Sequence, residues 1–155
     1  MAEDMQFLPR RDLLTFEEIE TLCAHLVTRG VRRIRLTGGE PLLQKETPAL
    51  MTTLCDAGFT VLLETSGAHD ISEIDPRVHR IVDLKCPSSG ECERNLYSNL
   101  EHLRPGDEVK FVIGTREDYQ WASEHLRKIN GRCEALFSWV NPLTPAQQSD
   151  VLKPV

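Results

Sequence analysis

Four short segments of the chain place polar side chains beside glycine where apolar runs end. They are residues 37–41, 64–67, 83–90 and 114–116. Parallel α/β sheets bind ligands at the carboxyl ends of their strands, where loops carry the chemistry and the sheet holds them in place. The four segments are therefore the candidate site, and their chemistry would rest on hydrogen-bond acceptors, hydroxyls and paired charges.

The segment at residues 37–41 combines two glycines with an acid and a proline. Gly38 and Gly39 permit positive φ and close approach of the backbone to a ligand, while Pro41 suits the first turn of a helix or a short connecting turn. Glu40 adds a carboxylate beside exposed carbonyls, a combination that suits an ammonium group better than a phosphate. A Gly-Gly turn with only a structural role is the alternative.

Two further strand ends carry hydroxyl and charged groups. Glu64 and Ser66 can bond a ribose or a polar heterocycle, although the hydroxyls of such a turn also cap the chain. Asp83 and Lys85 put an acid and a base at the end of the next strand. Lys85 would either pair with a ligand carboxylate as a compact positive charge or extend from the sheet rim into water.

A lysine interrupts the apolar run at residues 109–113. Val109, Phe111 and Ile113 share one strand face, which leaves Lys110 on the other. If the parallel strand is buried on both faces, this charge needs an acidic partner, and Glu64 and Asp83 are the candidates. A lysine at the surface rim is the alternative.

Strands alternate with helices along the chain. Apolar runs predict strands at residues 31–36, 59–63, 78–84, 109–113 and 135–139. Helical spacing predicts helices at 15–29, 47–57, 93–102, 116–129 and 145–152, the first capped by Thr15. This order predicts an α/β fold in which about five parallel strands form an open or partial barrel, within a single domain over residues 1–155.

The composition argues against several classes of function. A net charge of −6 disfavours a partner bound through nucleic-acid phosphates. No apolar run approaches the roughly 20 residues that span a bilayer. Residues 1–15 also lack the apolar core of a secretory signal. We therefore expect a cytoplasmic protein with neither a nucleic-acid nor a membrane partner.

The cysteines and histidines form no familiar metal-binding pattern. The five cysteines include no CxxC pair, and the five histidines show no HxH or HExxH spacing. An odd number of cysteines in a cytoplasmic protein favours reduced thiols. Cys86 and Cys92 flank a Pro/Ser/Gly loop and are the one pair that could share a ligand. The residues alone assign neither metal ligands nor a catalytic residue.

The stretch LTGGEPLL at residues 36–43 resembles the GGEP motif of radical S-adenosylmethionine enzymes. In that family the motif receives the methionine amino group of S-adenosylmethionine. The resemblance implies that Gly38, Gly39 and Glu40 contact this cosubstrate and that Thr37 contacts the substrate. It also implies a partial (β/α) radical-SAM barrel, open on the side of a missing N-terminal strand.

Residues 64–67 (ETSG) and 83–91 (DLKCPSSGE) resemble stretches of the 7-carboxy-7-deazaguanine synthases. The resemblance implies that Glu64 contacts the substrate and that Ser66, Asp83 and Lys85 contact the cosubstrate. These lyases contract the ring of 6-carboxy-5,6,7,8-tetrahydropterin in queuosine biosynthesis. We expect the same function, with a pterin or nucleoside as the small-molecule substrate and a homodimer as a possible assembly.

The resemblance changes along the chain. Residues 1–43, with FLPR at 7–10, resemble the molybdenum-cofactor radical enzymes that act on GTP, and residues 44–155 resemble the synthases. The change near residue 43 is either a recombination seam or drift. The alternatives to a synthase are therefore a fragment of the GTP cyclase type and a non-catalytic nucleoside-binding remnant.

The resemblance implies a [4Fe-4S] cluster and Mg²⁺, but the CxxxCxxC motif that ligates the cluster is absent from these 155 residues. Residues 1–4 resemble the segment that follows the third cysteine of that motif, which makes Met1 a candidate internal methionine. We expect a truncated radical-SAM core domain that is inactive as an isolated chain.

Overall fold

The computed structural model describes residues 14–140 and 143–152, and its centre is one parallel sheet of five strands. The strands are β1 (Arg33–Leu36), β2 (Thr60–Thr65), β3 (His79–Leu84), β4 (Glu108–Ile113) and β5 (Glu134–Trp139). The helices are α1 (Phe16–Thr28), α2 (Thr47–Asp56), α3 (Arg116–Ile129) and α4 (Pro145–Val151). The predicted α/β fold with five parallel strands is confirmed.

The strands lie in the sheet in the same order as in the chain, β1-β2-β3-β4-β5, and every neighbouring pair is parallel. Each connection therefore advances by one strand in one direction, as in the wall of a (β/α) barrel; a doubly wound sheet would reverse its order. Within the described residues β1 and β5 each pair with a single strand, so the barrel wall is open.

Capping boxes fix where α1, α3 and α4 begin. At α1, Thr15 N donates to Glu18 Oε2 (2.8 Å) and Glu18 N donates to Thr15 Oγ1 (3.2 Å), which confirms Thr15 as the N-cap. Thr115 caps α3 in the same way and Thr144 caps α4. Each box removes unsatisfied amides at a helix start, so these boundaries follow from local sequence.

The helices cover one face of the sheet. Apolar side chains at alternate positions of β2, β3 and β4 form a single core with residues of α1, α2 and α3. Its fully buried sheet members include Val61, Leu63, Val82, Val109 and Phe111. Trp121 packs edge-on to Phe111 at 6.2 Å between ring centroids. Burial of this face supplies the main stabilisation of the sheet.

The opposite face of the sheet is polar, which corrects the expectation that the strands are buried on both faces. Arg35, Glu64 and Lys110 lie there with side chains 52%, 22% and 28% exposed. Asp83 lies on the same face, and Ile81, although buried, is outside the helix-side core. In a partial barrel wall this face is the concave one, so charges can reach the site without being fully desolvated.

The predicted helix at 93–102 is wrong. The chain there forms two short 3₁₀ turns, Cys92–Arg94 and Tyr97–Glu101. Asn95 accepts from Lys85 N and donates to Lys85 O, both at 2.9 Å. Such side-chain bonds to distant backbone compete with a regular helix. The other predicted elements are present, with ends within two residues of those expected.

The described residues contain no helix long and apolar enough to cross a membrane. The expectations attached to residues 1–13, among them the FLPR resemblance and the role of Met1, lie outside the described residues.

Candidate functional site

The four polar segments form one continuous edge at the carboxyl ends of β1 to β4. Glu40, in the first segment, bonds residues 65 and 66 in the second. Gly67 packs against Asp83 in the third, and Ser88 is joined to the fourth through the Asp118 carboxylate. The prediction that these segments meet at one edge of the sheet is confirmed.

The carboxylate of Glu40 is the junction between the first two strand ends. It accepts from Leu42 N (3.0 Å), Thr65 Oγ1 (2.9 Å), Ser66 N (2.8 Å) and Ser66 Oγ. Burial by itself would raise the pKa of Glu40, but the bonds from Ser66, Leu42 and Thr65 outweigh it and hold the pKa below its ordinary value. The side chains of Glu40 and Ser66 are thus hydrogen-bonded to each other, and together they hold the turn in shape.

The backbone of the glycine turn is left open to a ligand. Gly38 and Gly39 adopt φ of 90° and 57°, and a Cβ at either position would meet no atom within 4 Å. Within the described residues neither carbonyl accepts a backbone hydrogen bond outside the regular elements. The carbonyls of these two exposed glycines, beside a carboxylate with a lowered pKa, form a setting that fits an ammonium group.

Glu64 is held from three directions on the polar face. Lys110 Nζ lies 2.9 Å from its Oε1, and Thr37 Oγ1 donates to Oε2 at 3.3 Å. Arg35 Nη1 lies 3.6 Å from the same Oε2. The bond from Lys110 is the largest reason why the pKa of Glu64 lies below its ordinary value. The predicted acidic partner of Lys110 is therefore Glu64, and the two residues predicted to face the substrate, Thr37 and Glu64, are in contact.

Asp83 and Lys85 form a second charged pair. Lys85 Nζ lies 2.7 Å from Asp83 Oδ2, so Lys85 is tied to the sheet and does not simply extend into water. Asp83 Oδ1 is buried and has no hydrogen-bond partner among the described residues. A buried carboxylate oxygen without a donor is costly. It is accordingly a ready acceptor for a ligand hydroxyl or N–H.

A cavity of about 340 Å³ opens beside this pair. Its lining comes from the carboxyl ends of β3, β4 and β5 and includes Asp83, Lys85, Ser88, Gly114 and Val140. A volume of this size lies at the lower end of the range for small-ligand sites.

Asp118, which bonds three of the residues that line this cavity, was missed as a site residue from the sequence. It is fully buried and accepts from Ser88 N (2.9 Å), Ser88 Oγ (2.5 Å), Gly114 N (3.0 Å) and Thr115 N (2.9 Å). Burial would raise the pKa of Asp118, but the bonds from Ser88, Gly114 and Thr115 bring it below its ordinary value. The capping pattern Thr115-x-x-Asp118 was the available signal; the bond to Ser88, 30 residues away, was not visible in the sequence.

The cysteines do not suit a cluster. Cys23, Cys55 and Cys86 are buried, and burial raises the pKa of Cys86 to about 12, which disfavours the thiolate that binds metal. Across residues 14–140 and 143–152, no group of three or more His, Cys, Asp or Glu could hold a metal ion. The described residues therefore do not fit a [4Fe-4S] cluster.

The fold and the candidate site define a class: a parallel α/β barrel wall with polar groups and a small cavity at the carboxyl ends of its strands. No protein-family profile matches the chain. It is 43% identical over 109 residues to the 7-carboxy-7-deazaguanine synthase of Chlorobaculum tepidum, covering 67% of this chain and 50% of that protein. The synthase of Koribacter versatilis is 46% identical over 96 residues, covering 61% and 42%.

A second group of relatives matches a shorter part of the chain. The GTP 3′,8-cyclase of Rhodopseudomonas palustris is 56% identical over 54 residues, which cover 35% of this chain and 16% of that protein. The resemblance to two groups of radical S-adenosylmethionine enzymes is thereby confirmed. The chain spans about half the length, or less, of the curated relatives it matches.

A solved structure supports the fold. The crystal structure of QueE from Escherichia coli superimposes with a TM-score of 0.59 at 22% identity, covering 88% of this chain and 57% of that one. At this identity the likeness concerns the fold, and it agrees with the open five-stranded wall described above.

Proposed function

We propose that this chain forms the cosubstrate- and substrate-binding wall of a radical S-adenosylmethionine enzyme of the 7-carboxy-7-deazaguanine synthase type. The observation that carries the proposal is the 43% identity to such a synthase over 109 residues. The polar edge at the strand ends supports it, because its free acceptors and paired charges complement an amino acid joined to a nucleoside.

The described residues fit S-adenosylmethionine. The carbonyls of Gly38 and Gly39 would accept its ammonium group, inside a turn that Glu40 and Ser66 hold in shape. Lys85 has donors beyond the one used on Asp83 and would meet the carboxylate. Asp83 Oδ1, buried without a partner, would accept from a ribose hydroxyl. When bound, S-adenosylmethionine would be the source of the radical that abstracts hydrogen from the substrate, but only on cleavage by a one-electron reductant, which the described residues do not supply.

Glu64 and Thr37 would face the substrate. An ionised carboxylate accepts the paired N–H donors on the amino-pyrimidinone edge of a pterin, and the bond from Lys110 lowers the pKa of Glu64 and holds its carboxylate in place. These groups bind and orient the ring. The proposed reaction is the ring contraction of 6-carboxy-5,6,7,8-tetrahydropterin in queuosine biosynthesis. The described residues do not fit a cluster, and they include no group of three or more metal ligands that would hold Mg²⁺.

We further propose that the chain is cytoplasmic and that its partner is a small molecule. The homodimer stays a prediction.

The second candidate is a GTP 3′,8-cyclase type of function, and the 56% identity over 54 residues favours it. The two candidates share the cosubstrate and differ in the substrate, a reduced pterin against a nucleoside triphosphate. The triphosphate would need several free cations at one place, whereas Lys85, Lys110 and Arg35 on the polar face already lie 2.7 Å, 2.9 Å and 3.6 Å from carboxylate oxygens. This geometry favours the pterin.

Anaerobic calorimetry of the purified chain tests the proposal. We expect S-adenosylmethionine to bind, Lys85→Met to weaken binding about tenfold, equivalent to about 1.4 kcal/mol, and Lys128→Met on the exposed side of α3 to leave it unchanged. We further expect the reduced pterin to bind and GTP not to bind. GTP binding without pterin binding would favour the second candidate, and a chain that binds none of the three ligands would contradict the proposal.

A further inference from the structure

The ion pair between Lys110 and Glu64 spans three strands. Lys110 on β4 is in register with Asp83 on β3, while Glu64 on β2 is in register with Ile81. Two strand spacings, roughly 10 Å, separate β2 from β4. Lys110 Nζ nevertheless lies 2.9 Å from Glu64 Oε1, so the two side chains reach towards each other and meet over β3 on the concave face.

The nearer acid does not hold Lys110. Asp83 lies directly across the ladder, but its Oδ2 is bonded to Lys85 at 2.7 Å. Glu64 is the remaining acid at the carboxyl half of this face among the described residues. The two pairs are therefore complementary, and each lysine is assigned to one carboxylate.

The charged groups that face Glu64 come from every neighbouring strand. From β1, Arg35 lies 3.6 Å away; from β4, Lys110 lies 2.9 Å away. β3 presents Asp83, whose charge is opposed by its bond to Lys85. Strand alternation places Arg33 and Glu108 on the same face nearer the amino ends of β1 and β4. Cations thus dominate the immediate surroundings of Glu64.

Glu64 still has free acceptor capacity. A carboxylate offers about four acceptor positions, and Lys110 and Thr37 use one each. Its side chain is 22% exposed on the open face. A ligand above the sheet can therefore meet a carboxylate whose charge and direction are already fixed.

We propose that Lys110 is a positioning residue that fixes the direction of the Glu64 carboxylate over β3, so that Glu64 recognises a paired N–H edge of a flat heterocycle. This inference rests on the proposed function for the nature of the ligand and adds a residue outside the four strand-end segments. Lys110 acts through Glu64 and does not itself touch the ligand. The lowered pKa of Glu64, for which Lys110 is the first cause, agrees with it.

The first test needs no ligand. The Glu64 carboxyl ¹³C resonance is titrated by NMR in the wild type, Lys110→Met, Lys110→Arg and the control Lys128→Met. We expect the Glu64 pKa to be below its ordinary value in the wild type and control, to rise in Lys110→Met, and to return downward in Lys110→Arg. An unchanged Glu64 pKa in Lys110→Met overturns the proposal. If Lys110→Met does not fold, a raised Glu64 pKa in Lys110→Arg overturns it.

The second test uses 6-carboxypterin as a stable probe. We expect wild-type affinity to stay constant from pH 7 to pH 5, Lys110→Met to bind about tenfold more weakly at pH 7 and to lose further affinity as the pH falls, and Glu64→Gln to bind weakly at both. A merely structural lysine would lower affinity equally at both pH values and contradict the proposal. Absent probe binding by the wild type also overturns it. Neither test contains S-adenosylmethionine, so their outcomes are independent of whether the chain binds this cosubstrate.

Discussion

Glu40 accepts the backbone N–H of Ser66 at 2.8 Å, so one acidic side chain joins the turn after β1 to the end of β2. The same carboxylate bonds Thr65 Oγ1 and Leu42 N, which fixes both sides of the junction. The glycine turn is thus presented as a rigid element whose backbone faces the site. The turn is rigid because the Glu40 carboxylate bonds it to the end of the neighbouring strand.

Glu40→Ala removes this junction and leaves the Ser66 and Leu42 amides without their acceptor. We expect a loss of about 1–3 kcal/mol in the free energy of unfolding, the usual cost of stranded donors. Urea unfolding measures it, with Glu46→Ala, an exposed glutamate nearby, as the matched control. Equal stabilities of the two variants would contradict the junction.

Asp118→Asn tests the hydrogen bonds by which the Asp118 carboxylate links α3 to the loop after β3. An amide that replaces the carboxylate presents an NH₂ group to donors at Ser88, Gly114 and Thr115, so some of them lose their acceptor. We expect a loss of about 1–3 kcal/mol in the free energy of unfolding. We also expect faster proteolysis at the loop over residues 86–90. Glu117→Gln, exposed on the same helix, is the control. If the Asp118→Asn variant were as stable and as resistant to protease as the wild type, these hydrogen bonds would not be what holds the loop.

Gly67→Ala tests how closely the end of β2 approaches β3. Gly67 has φ of 76°, and a Cβ there would lie 3.1 Å from Val82 Cγ1 and 3.3 Å from Asp83 O. Gly131 has φ of 72° but no atom within 4 Å of such a Cβ, so Gly131→Ala incurs the backbone strain alone. We expect both variants to lose about 1 kcal/mol from that strain and Gly67→Ala to lose more. Thermal unfolding compares them, and equal losses would rule out the close contact.

Stability should fall in acid. The folded-state pKa values of Glu40, Glu64 and Asp118 lie below their ordinary values. Their contribution is therefore complete above about pH 4.5, near the pKa of free carboxyls, and is lost as the pH falls towards the lowered values, because the unfolded chain binds more protons. Urea midpoints from pH 7 to pH 3 measure this. Asp118→Asn should reduce the slope; a slope equal to that of the wild type would contradict the role of Asp118.

The sheet and most helices could be predicted because their signals are local. The apolar run around Val109 and Phe111 indicates a strand wherever it occurs, and Thr15 followed by Glu18 indicates a helix start. The sequence also narrowed the acidic partner of Lys110 to Glu64 or Asp83, if that strand lysine is not at the surface rim, and the structure shows that the partner is Glu64.

What could not be predicted depends on contacts far apart in the chain. Asn99 is fully buried and bonds Ile71 N, Gly67 O and His69 O, which lie about 30 residues away. Bonds of this kind gave 3₁₀ turns where helical spacing predicted a helix. The polar concave face was missed for a related reason: the strand pattern does not say which face the helices cover.

Titration of ¹⁵N-labelled chain with S-adenosylmethionine tests the central claim most directly. The account predicts saturable amide shifts concentrated at Gly38, Gly39, Ser66 and Lys85, with residues on the outer side of α3 unchanged. Saturable shifts confined to other parts of the molecule, or no shifts at millimolar cosubstrate, would contradict the claim that these strand ends form the cosubstrate site.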